Sequence, residues 1–183
     1  MDANADPFDP VWTMRLKLRC VRPEDAARTS AMMTPAISRW VASWPVPFTP
    51  EMAAERIAAA RRAAEEGRAL PFAVERRSDG ALLGWLGVHR DATDGRRGVL
   101  GYWLGEEYHG HGFMREAVPA AVAAAFERLG LGVIGAGAQP GNTASFAILR
   151  GCGMVPVGRR MVFASARGRD EACLFYEAVR PSG

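Results

Sequence analysis

The sequence has 183 residues, of which 49% are hydrophobic, and a formal net charge of +3. A chain of this length and composition can bury one good core, so we predict a single domain. The charge is mild and no basic block exceeds two adjacent arginines, so nucleic acid is not required as a partner. The small positive excess would equally suit a polyanionic cofactor.

The cysteines and histidines show neither disulfide nor metal-site spacing. Cys20, Cys152 and Cys173 are odd in number and widely separated, and the three histidines form no ligand grouping. The first residues are acidic and proline-rich rather than basic and then apolar, and no apolar run approaches about 18 residues. We therefore expect no metal, no signal peptide, no membrane contact and a cytoplasmic location.

The N-terminal third predicts a tail, one strand and three helices. Residues 1–13 contain two Asp-Pro steps, which discourage regular structure, and we expect a loose tail there. Apolar and basic residues alternate over residues 16–20, which predicts a strand with one buried face. Thr49 before Pro50 is typical of a helix start. The three helices are expected at residues 24–33, at 37–43 and from 50 to Gly67.

The rest of the chain alternates strands and helices. Three strands joined by short connections, and therefore antiparallel, precede a long helix that contains Pro119. Proline lacks the N–H of a helix interior, so a kink or a late helix start is expected there. The strands are expected at 72–76, 81–89, 99–104, 133–138, 154–160 and 172–176, and the helices at 114–129 and 144–152.

A glycine-rich turn opens that long helix, in the run His109-Gly110-His111-Gly112-Phe113-Met114. Two glycines at a helix mouth let backbone N–H groups approach an anion, and the helix dipole adds partial positive charge. Position 115 is arginine and no Gly-Lys-Ser/Thr occurs, so the Rossmann and P-loop patterns are both absent. The turn predicts a different kind of phosphate or pyrophosphate site. A turn with a purely structural role is the alternative.

The residues around this turn carry a family resemblance. The runs 100–104 (Leu-Gly-Tyr-Trp-Leu), 106–112, 116–117 (Glu-Ala) and 142–145 (Asn-Thr-Ala-Ser), followed by Gly153-Met154, resemble the GNAT acetyltransferase superfamily. More narrowly, they are similar to its RimJ/RimL-like branch, the relatives of ribosomal-protein N-terminal acetyltransferases. The resemblance extends from about Met14 to Val179. It implies an α/β fold in one domain over residues 14–183, with a mixed, largely antiparallel sheet of about seven strands, helices on both faces, and two central strands splayed to hold the cofactor.

That resemblance implies an N-acetyltransferase whose cofactor is acetyl-CoA. The pantetheine arm would lie between strands 99–104 and 133–138, held by the backbone of Trp103 and Leu104 and by Asn142, for which an Asx turn is the alternative. The pyrophosphate loop falls on His109, Gly110, His111, Gly112, Phe113 and Met114. His109 and Met114 depart from the family pattern, which backbone ligation tolerates if Met114 points into the core. His111 would contact phosphate or lie on the surface.

Acetyl transfer by direct attack, without a covalent enzyme intermediate, needs a base for the amine and a proton for the thiolate. Many relatives donate that proton from a tyrosine, which Leu149 replaces here. The RimJ/RimL-like branch implies Ser145 as the donor, one helical turn earlier, with helix capping as its alternative role. Glu106 is the implied base, acting through a water, and Glu107 is the alternative. Both glutamates would otherwise be solvated loop charges.

The acceptor is expected to be a primary amine, on a protein N-terminus or a small molecule. Trp40, Trp44, Phe48 and Trp85 are the candidate residues that line its cleft, with core packing as the alternative for each. A non-catalytic acyl-CoA sensor or scaffold of the same fold is the alternative function. Leu149 and Met114 support it, whereas Ser145 and Glu106 argue against it. A homodimer is implied by the relatives alone.

Overall fold

One mixed sheet forms the centre of the molecule in a computed structural model, which describes residues 6–181. Its strands are β1 (Val11–Trp12), β2 (Leu16–Cys20), β3 (Ala69–Arg76), β4 (Leu82–Arg90), β5 (Arg97–Leu104), β6 (Val133–Ala138), β7 (Val155–Ala164) and β8 (Arg169–Val179). Their order in the sheet is β1-β2-β3-β4-β5-β6-β8-β7. Every neighbouring pair is antiparallel except β5 and β6, which are parallel. The expected mixed, largely antiparallel sheet is confirmed.

Five α-helices cover the two faces of the sheet in the described part of the chain. They are α1 (Ala26–Met32), α2 (Pro35–Ser38), α3 (Pro50–Glu65), α4 (Phe113–Arg128) and α5 (Thr143–Gly151). One core lies between the sheet and α4 with α5, and a second, richer in aromatic rings, lies under α1, α2 and α3. The expected helices on both faces are confirmed. No helix within residues 6–181 combines the length and apolar character needed to cross a membrane.

The N-terminal segment is more ordered than its proline content predicts. Residues 1–5 lie outside the described part, but Val11–Trp12 adds an eighth strand by pairing with β2. Asp6 forms a 2.7 Å ion pair with Arg22, and a hydrogen bond from that guanidinium lowers the pKa of Asp6. The predicted loose tail is therefore wrong at Asp6 and Val11–Trp12, because an ion pair and a neighbouring strand hold what local sequence alone would leave free.

The helices follow their end signals more closely than their interior patterns. Thr49 Oγ1 accepts the N–H of Met52 at 3.2 Å, and α3 begins at Pro50 as predicted. The predicted helix 37–43 is wrong beyond Ser38, because α2 starts on Pro35 and Ser38 Oγ turns to donate to the carbonyl of Trp44 at 2.6 Å.

The long helix α4 passes through its proline without interruption. It starts at Phe113, six residues before Pro119, so a late start is wrong. Pro119 lies on the exposed side of the helix, while the opposite side is buried against the sheet. That packing stabilises a helix in which one backbone hydrogen bond is missing. Gly130, with φ +62°, follows the last turn as the pattern predicts.

A buried charge cluster replaces the solvated face expected for β2. Arg19 is only 6% exposed and donates two 2.8 Å hydrogen bonds to Asp25 and one of 2.6 Å to Glu75. Burial opposes the charge on Arg19, but these two carboxylates outweigh it and raise the pKa of the guanidinium. The alternation over residues 16–20 thus predicts the strand correctly and its polar face incorrectly.

Candidate active site

A gap opens in the middle of the sheet where β5 and β6 separate. The two strands pair only at Arg97–Val133, Gly98–Ile134 and Val99–Gly135. Beyond these pairs β5 continues to Leu104 and β6 to Ala138 without a mutual ladder, so the expected splay is confirmed. The edge of β5 facing the gap can hydrogen-bond an extended ligand through its backbone.

The backbone at the end of β5 is oriented by its other neighbour. The N–H of Gly105 donates to the carbonyl of Leu83 on β4 at 2.9 Å. Since successive residues of a strand direct their backbone groups to opposite sides, the N–H and carbonyl of Leu104 point toward the gap. His109 Nε2 lies 3.0 Å from the Leu104 carbonyl oxygen and is within hydrogen-bond distance of it. The Leu104 N–H remains directed at the gap.

The glycine-rich turn lies next to the gap, at the start of α4. Gly110 and Gly112 adopt φ values of +78° and +76°, which only glycine adopts without strain. Phe113 and Met114 are both buried in the core that packs under α4, so Met114 points inward. His111 is exposed, and its ring stacks on Phe113 with the centroids 5.8 Å apart. Phe113 and Met114 therefore face the core, whereas His109 and His111 are exposed together with the two glycines.

An arginine from β1–β2 holds this turn in place. Arg15 donates to the carbonyl of His111 at 2.9 Å and to Glu116 at 2.7 Å, and its guanidinium lies 4.7 Å from the centre of the Phe113 ring. Burial raises the pKa of Glu116, but hydrogen bonds from Thr13 and Arg15 outweigh it and leave that pKa lowered. Sequence analysis missed Arg15 as a site residue; its only local signal is its position directly before the basic strand β2.

Ser145 and Asn142 occupy the start of α5 on the other side of the gap. Asn142 Oδ1 accepts the N–H of Ser145 at 3.2 Å, so Asn142 caps the helix. Ser145 is half-buried, and its Oγ lies 2.8 Å from the hydroxyl of Tyr102 on β5. Leu149, one turn later, is fully buried in the core. Ser145 is thus free of the capping role, which Asn142 fills.

Two glutamates follow β5 directly, in a single turn of 3₁₀ helix (Glu106–Tyr108). Glu106 is exposed and accepts a hydrogen bond from the hydroxyl of Thr34, which precedes α2. Glu107 is paired with Arg28, and hydrogen bonds from Tyr108 and Arg28 lower its pKa. Among the contacts described for the two neighbours, only Glu107 is tied to a cation.

The aromatic residues expected at the acceptor cleft form a buried cluster. Trp44 lies at its centre, with ring centroids 5.1 Å from those of Phe48, Trp85 and Trp103. All four are at most 9% exposed. Trp85 Nε1 donates to Thr29 at 2.9 Å, whereas Trp103 Nε1 has no hydrogen-bond partner among the described residues.

Trp40 is the exception, because it stays half-exposed on the surface. The guanidinium carbon of Arg39 lies 4.6 Å from the centre of the Trp40 ring. The ring also lies beside Gly141, the residue before Asn142. A shallow depression runs here between the 39–40 segment, the loop after β6 and the start of β8. The structure thus brings Trp40 to the Asn142 end of the gap and places Trp44, Phe48 and Trp85 in the core.

A model of the acetyltransferase (GNAT) domain matches residues 15–155. The chain belongs to the GNAT acetyltransferase family. It is accordingly an acetyl-CoA-dependent N-acyltransferase, and the expected enzyme class and cofactor are confirmed. No group of three or more His, Cys, Asp or Glu within residues 6–181 could hold a metal ion.

The individual relatives and solved structures that this chain resembles are named as acetyltransferases, some of them for ribosomal proteins. An uncharacterized N-acetyltransferase of Bacillus subtilis, YoaA, is 31% identical over 117 residues, which span 64% of this chain and 66% of that relative. The solved structure of a protein assigned as a ribosomal-protein-serine acetyltransferase in Vibrio cholerae is 25% identical, with TM-score 0.78, covering 96% of this chain and 100% of that one. RimJ of Mycobacterium smegmatis, solved in complex with CoA-disulfide, is 24% identical, with TM-score 0.78 and coverage of 94% and 90%.

Proposed function

We propose that this acetyltransferase modifies a primary amine, on a protein N-terminus or a small molecule, at the gap between β5 and β6. The observation that carries the proposal is the free edge of β5. It runs beside the glycine-rich turn and ends between Ser145 on one face of the sheet and Glu106 on the other. Both reactants can then meet at one strand end, where proximity accounts for a large part of the rate enhancement.

The residues around the gap fit acetyl-CoA. The backbone of Leu104 would hold the pantetheine arm, together with Asn142. The alternation that turns the Leu104 groups to the gap turns the N–H and carbonyl of Trp103 toward β4, so the expected contact through Trp103 is not part of this proposal. The turn residues His109, Gly110, His111, Gly112, Phe113 and Met114 would hold the pyrophosphate. Support comes from the open space beside the turn, where a Cβ at Gly110 would meet nothing within 4 Å, and from the inward packing of Met114. When bound, acetyl-CoA supplies a thioester whose acyl carbon accepts a nucleophile.

Ser145 is proposed as the proton donor. As the amine attacks, a C–N bond forms and the C–S bond breaks, and Ser145 Oγ gives its hydrogen to the departing sulfur. The serine then regains a proton from solvent. Asn142 already caps α5, which leaves the hydroxyl of Ser145 available for this role, and Leu149 has no proton to give. The backbone N–H of Leu104 would polarise the thioester carbonyl.

Glu106 is proposed as the base that removes the amine proton through a water. Its carboxylate is exposed at the end of β5 and contacts only the neutral hydroxyl of Thr34 among the hydrogen bonds described for it. Glu107 is a weaker candidate, because its pairing with Tyr108 and Arg28 lowers its pKa. The hydrogen bond from Thr34 would hold the Glu106 carboxylate toward the α1–α2 side of the strand.

The acceptor is proposed to enter from the α1–α3 side of β5. Trp40 would contact it; support comes from the partial exposure of this ring and its position close to Gly141. Trp44, Phe48 and Trp85 would form the buried floor that supports the entry rather than its surface. A homodimer and a cytoplasmic location stay predictions, and size-exclusion chromatography with light scattering checks the first of them.

Binding and turnover test the proposal separately. Calorimetry with acetyl-CoA, CoA and longer acyl-CoAs should show binding with a preference for acetyl, and an amine screen with thiol detection should then find an acceptor. Ser145→Ala should lower kcat about a hundredfold, the usual scale for a lost proton donor, and leave acetyl-CoA affinity nearly unchanged. Ser78→Ala, in the exposed turn after β3, is the matched control and should behave as wild type.

Two results would contradict the proposal. Absence of acyl-CoA binding in folded protein would remove the cofactor site itself. Affinity without CoA release for any amine would instead favour the sensor or scaffold function.

A further inference from the structure

A hydrogen bond between two hydroxyls spans the gap beside the proposed reaction centre. The hydroxyl of Tyr102 lies 2.8 Å from Ser145 Oγ, although the residues are 43 positions apart. Tyr102 also lies 3.4 Å from the Ser145 carbonyl oxygen. The pair joins β5 to α5 where the strands diverge. A contact at this place bears directly on how the serine hydroxyl is held.

Tyr102 is an exception on its strand. Leu100 and Leu104 share its face of β5 and are buried under α4 and α5. The alternation of side chains along the strand therefore predicts an apolar residue at position 102. Its ring does pack on that core, but the phenol reaches the edge of the core and meets Ser145. A phenylalanine would fill the same space. The hydroxyl is therefore the part of this side chain that packing does not explain.

The direction of the hydrogen bond follows from the chemistry of the two groups. Burial raises the pKa of Tyr102 to about 12, so it remains a protonated phenol at neutral pH. A phenol is a better donor than an aliphatic hydroxyl. When Tyr102 donates to Ser145 Oγ, the serine hydrogen is left for another acceptor, and the serine side chain is held facing β5.

Without such a partner, a serine in the first turns of a helix has a competing choice. Its hydroxyl commonly bonds back to a carbonyl one turn earlier in its own helix. That rotamer would direct the hydrogen into the backbone and away from the gap. The phenol of Tyr102 favours the productive orientation over this one.

We propose that Tyr102 is a positioning residue that orients the Ser145 hydroxyl for proton donation to the departing thiolate. The inference rests on the proposed role of Ser145 in amine acetylation. Tyr102 itself transfers no proton: the hydrogen that reaches sulfur is that of Ser145, which is replaced from solvent. Tyr102 is thus protonated before and after each turnover.

A merely structural role predicts different consequences. If the bond only ties β5 to α5, its loss lowers the melting temperature and widens the gap, so acetyl-CoA affinity falls. A positioning role lowers kcat and leaves affinity and melting temperature nearly unchanged. Tyr102→Phe separates these two cases because it removes one oxygen atom and keeps the packed ring.

The kinetic test is a double-mutant cycle. Tyr102→Phe should lower kcat about tenfold, the scale of one hydrogen bond lost in the transition state, with KM for acetyl-CoA little changed. In a Ser145→Ala background the same change should have no further effect, because its target is gone. Tyr176→Phe is the matched control, since Tyr176 is buried in the same core and its hydroxyl lies 3.4 Å from Arg150.

A spectroscopic test needs no turnover. The chain contains three tyrosines, so 3-fluorotyrosine labelling gives three fluorine resonances, and Tyr102→Phe assigns the one of interest. Ser145→Ala should shift the Tyr102 resonance and leave those of Tyr108 and Tyr176 in place.

Each outcome bears on one claim. Additive losses of kcat, a Tyr102 resonance that ignores Ser145→Ala, or a fall in affinity with Tyr102→Phe would overturn the positioning role while leaving the transferase assignment intact. A Ser145→Ala enzyme with full kcat would overturn the donor role of Ser145, and the role of Tyr102 with it.

Discussion

The two faces of β5 are built in different ways. Tyr102 faces α4 and α5, where the site consists of backbone edges, small residues and one pair of hydroxyls. Trp103 faces α1, α2 and α3, where aromatic rings and a buried ion pair fill the space. On the first face, the strand, turn and helix starts that border the gap come from residues 97–151, although Arg15 and much of the core beneath them lie outside that stretch. The second is assembled from segments far apart in the chain, so backbone geometry governs one face and side-chain contacts the other.

Long-range contacts hold the second face together. Arg167, in the β7–β8 turn, donates to the carbonyls of Ser38 at 2.6 Å and Val41 at 3.3 Å, more than 120 positions away. The Trp44 ring meets Trp85 and Trp103 from two different strands. Disturbance of a single side chain should therefore be more damaging on this face than on the other.

The largest effect is expected at Asp25, in the charge cluster behind the Trp103 face. Asp25→Ala leaves the guanidinium of Arg19, 6% exposed, without two of its hydrogen bonds and the backbone N–H of Arg22 without its acceptor. Removal of one partner of a buried ion pair costs about 3–5 kcal/mol. Urea denaturation should show a loss of that size in the free energy of unfolding.

Glu66→Ala is the control for that measurement. Glu66 pairs with Arg68, but both side chains are more than half exposed. Pairs of this kind contribute about 0–1 kcal/mol. Equal losses for the two variants would show that burial does not distinguish the cluster.

The Tyr102 face was the more predictable from sequence. The strand ends, the glycine turn, the start of α5 and the glycine after α4 carry local signals, and the observed bounds of β6 match those predicted. Tyr102 lies inside the run 100–104, but the sequence analysis assigned it no role. The available signal is that Tyr102 is a polar residue between Leu100 and Leu104 on a buried face of the strand.

The Trp103 face was predicted less well because its contacts are not local. The pattern of residues 16–20 places Arg19 in solvent, since nothing nearby shows that Asp25 and Glu75 surround it. The segment 39–43 has helical periodicity but forms turns instead, beside hydrogen bonds from Ser38 to Trp44 and from Arg167 to Ser38 and Val41. Aromatic residues in such a segment fit core packing as well as a cleft, and sequence alone does not show which of the rings remains accessible.

Gly84 lies on β4, directly opposite Leu104 at the end of β5. A Cβ at this position would lie 2.2 Å from the carbonyl oxygen of Trp103 and 2.7 Å from Cα of Leu104. Since backbone atoms cannot rotate away, Gly84→Ala should displace the end of β5 and cost about 3 kcal/mol. Thermal denaturation measures the loss, and acetyl-CoA affinity should fall with it.

Gly101→Ala provides the comparison on the adjacent strand. A Cβ there would meet nothing within 4 Å, so stability should stay close to that of wild type. A Gly84→Ala variant as stable as Gly101→Ala would show that the strand end is not held as described.

Glu106 and Glu107, which directly follow β5, can be compared to test which of them acts as the base. Glu106→Gln should lower kcat about a hundredfold, equal to about 2.7 kcal/mol, if it removes the amine proton. Glu107→Gln should be close to wild type, because Glu107 is already paired with Arg28. Steady-state thiol release with the acceptor from the amine screen measures both. The reverse ranking would assign the base to Glu107.

The smallest expected effect concerns Glu171, which links the β7–β8 turn to the 38–41 segment through Arg167. Hydrogen bonds from Arg167 lower the pKa of Glu171 from 4.5 to about 2. Because the folded-state pKa lies below the unfolded value, the stabilisation is complete above about pH 4.5 and disappears as the pH falls toward 2. Glu171→Gln should therefore cost about 1 kcal/mol at neutral pH. Denaturation midpoints should converge with wild type in acid, and a constant difference down to pH 2 would show that this charge does not hold the segment.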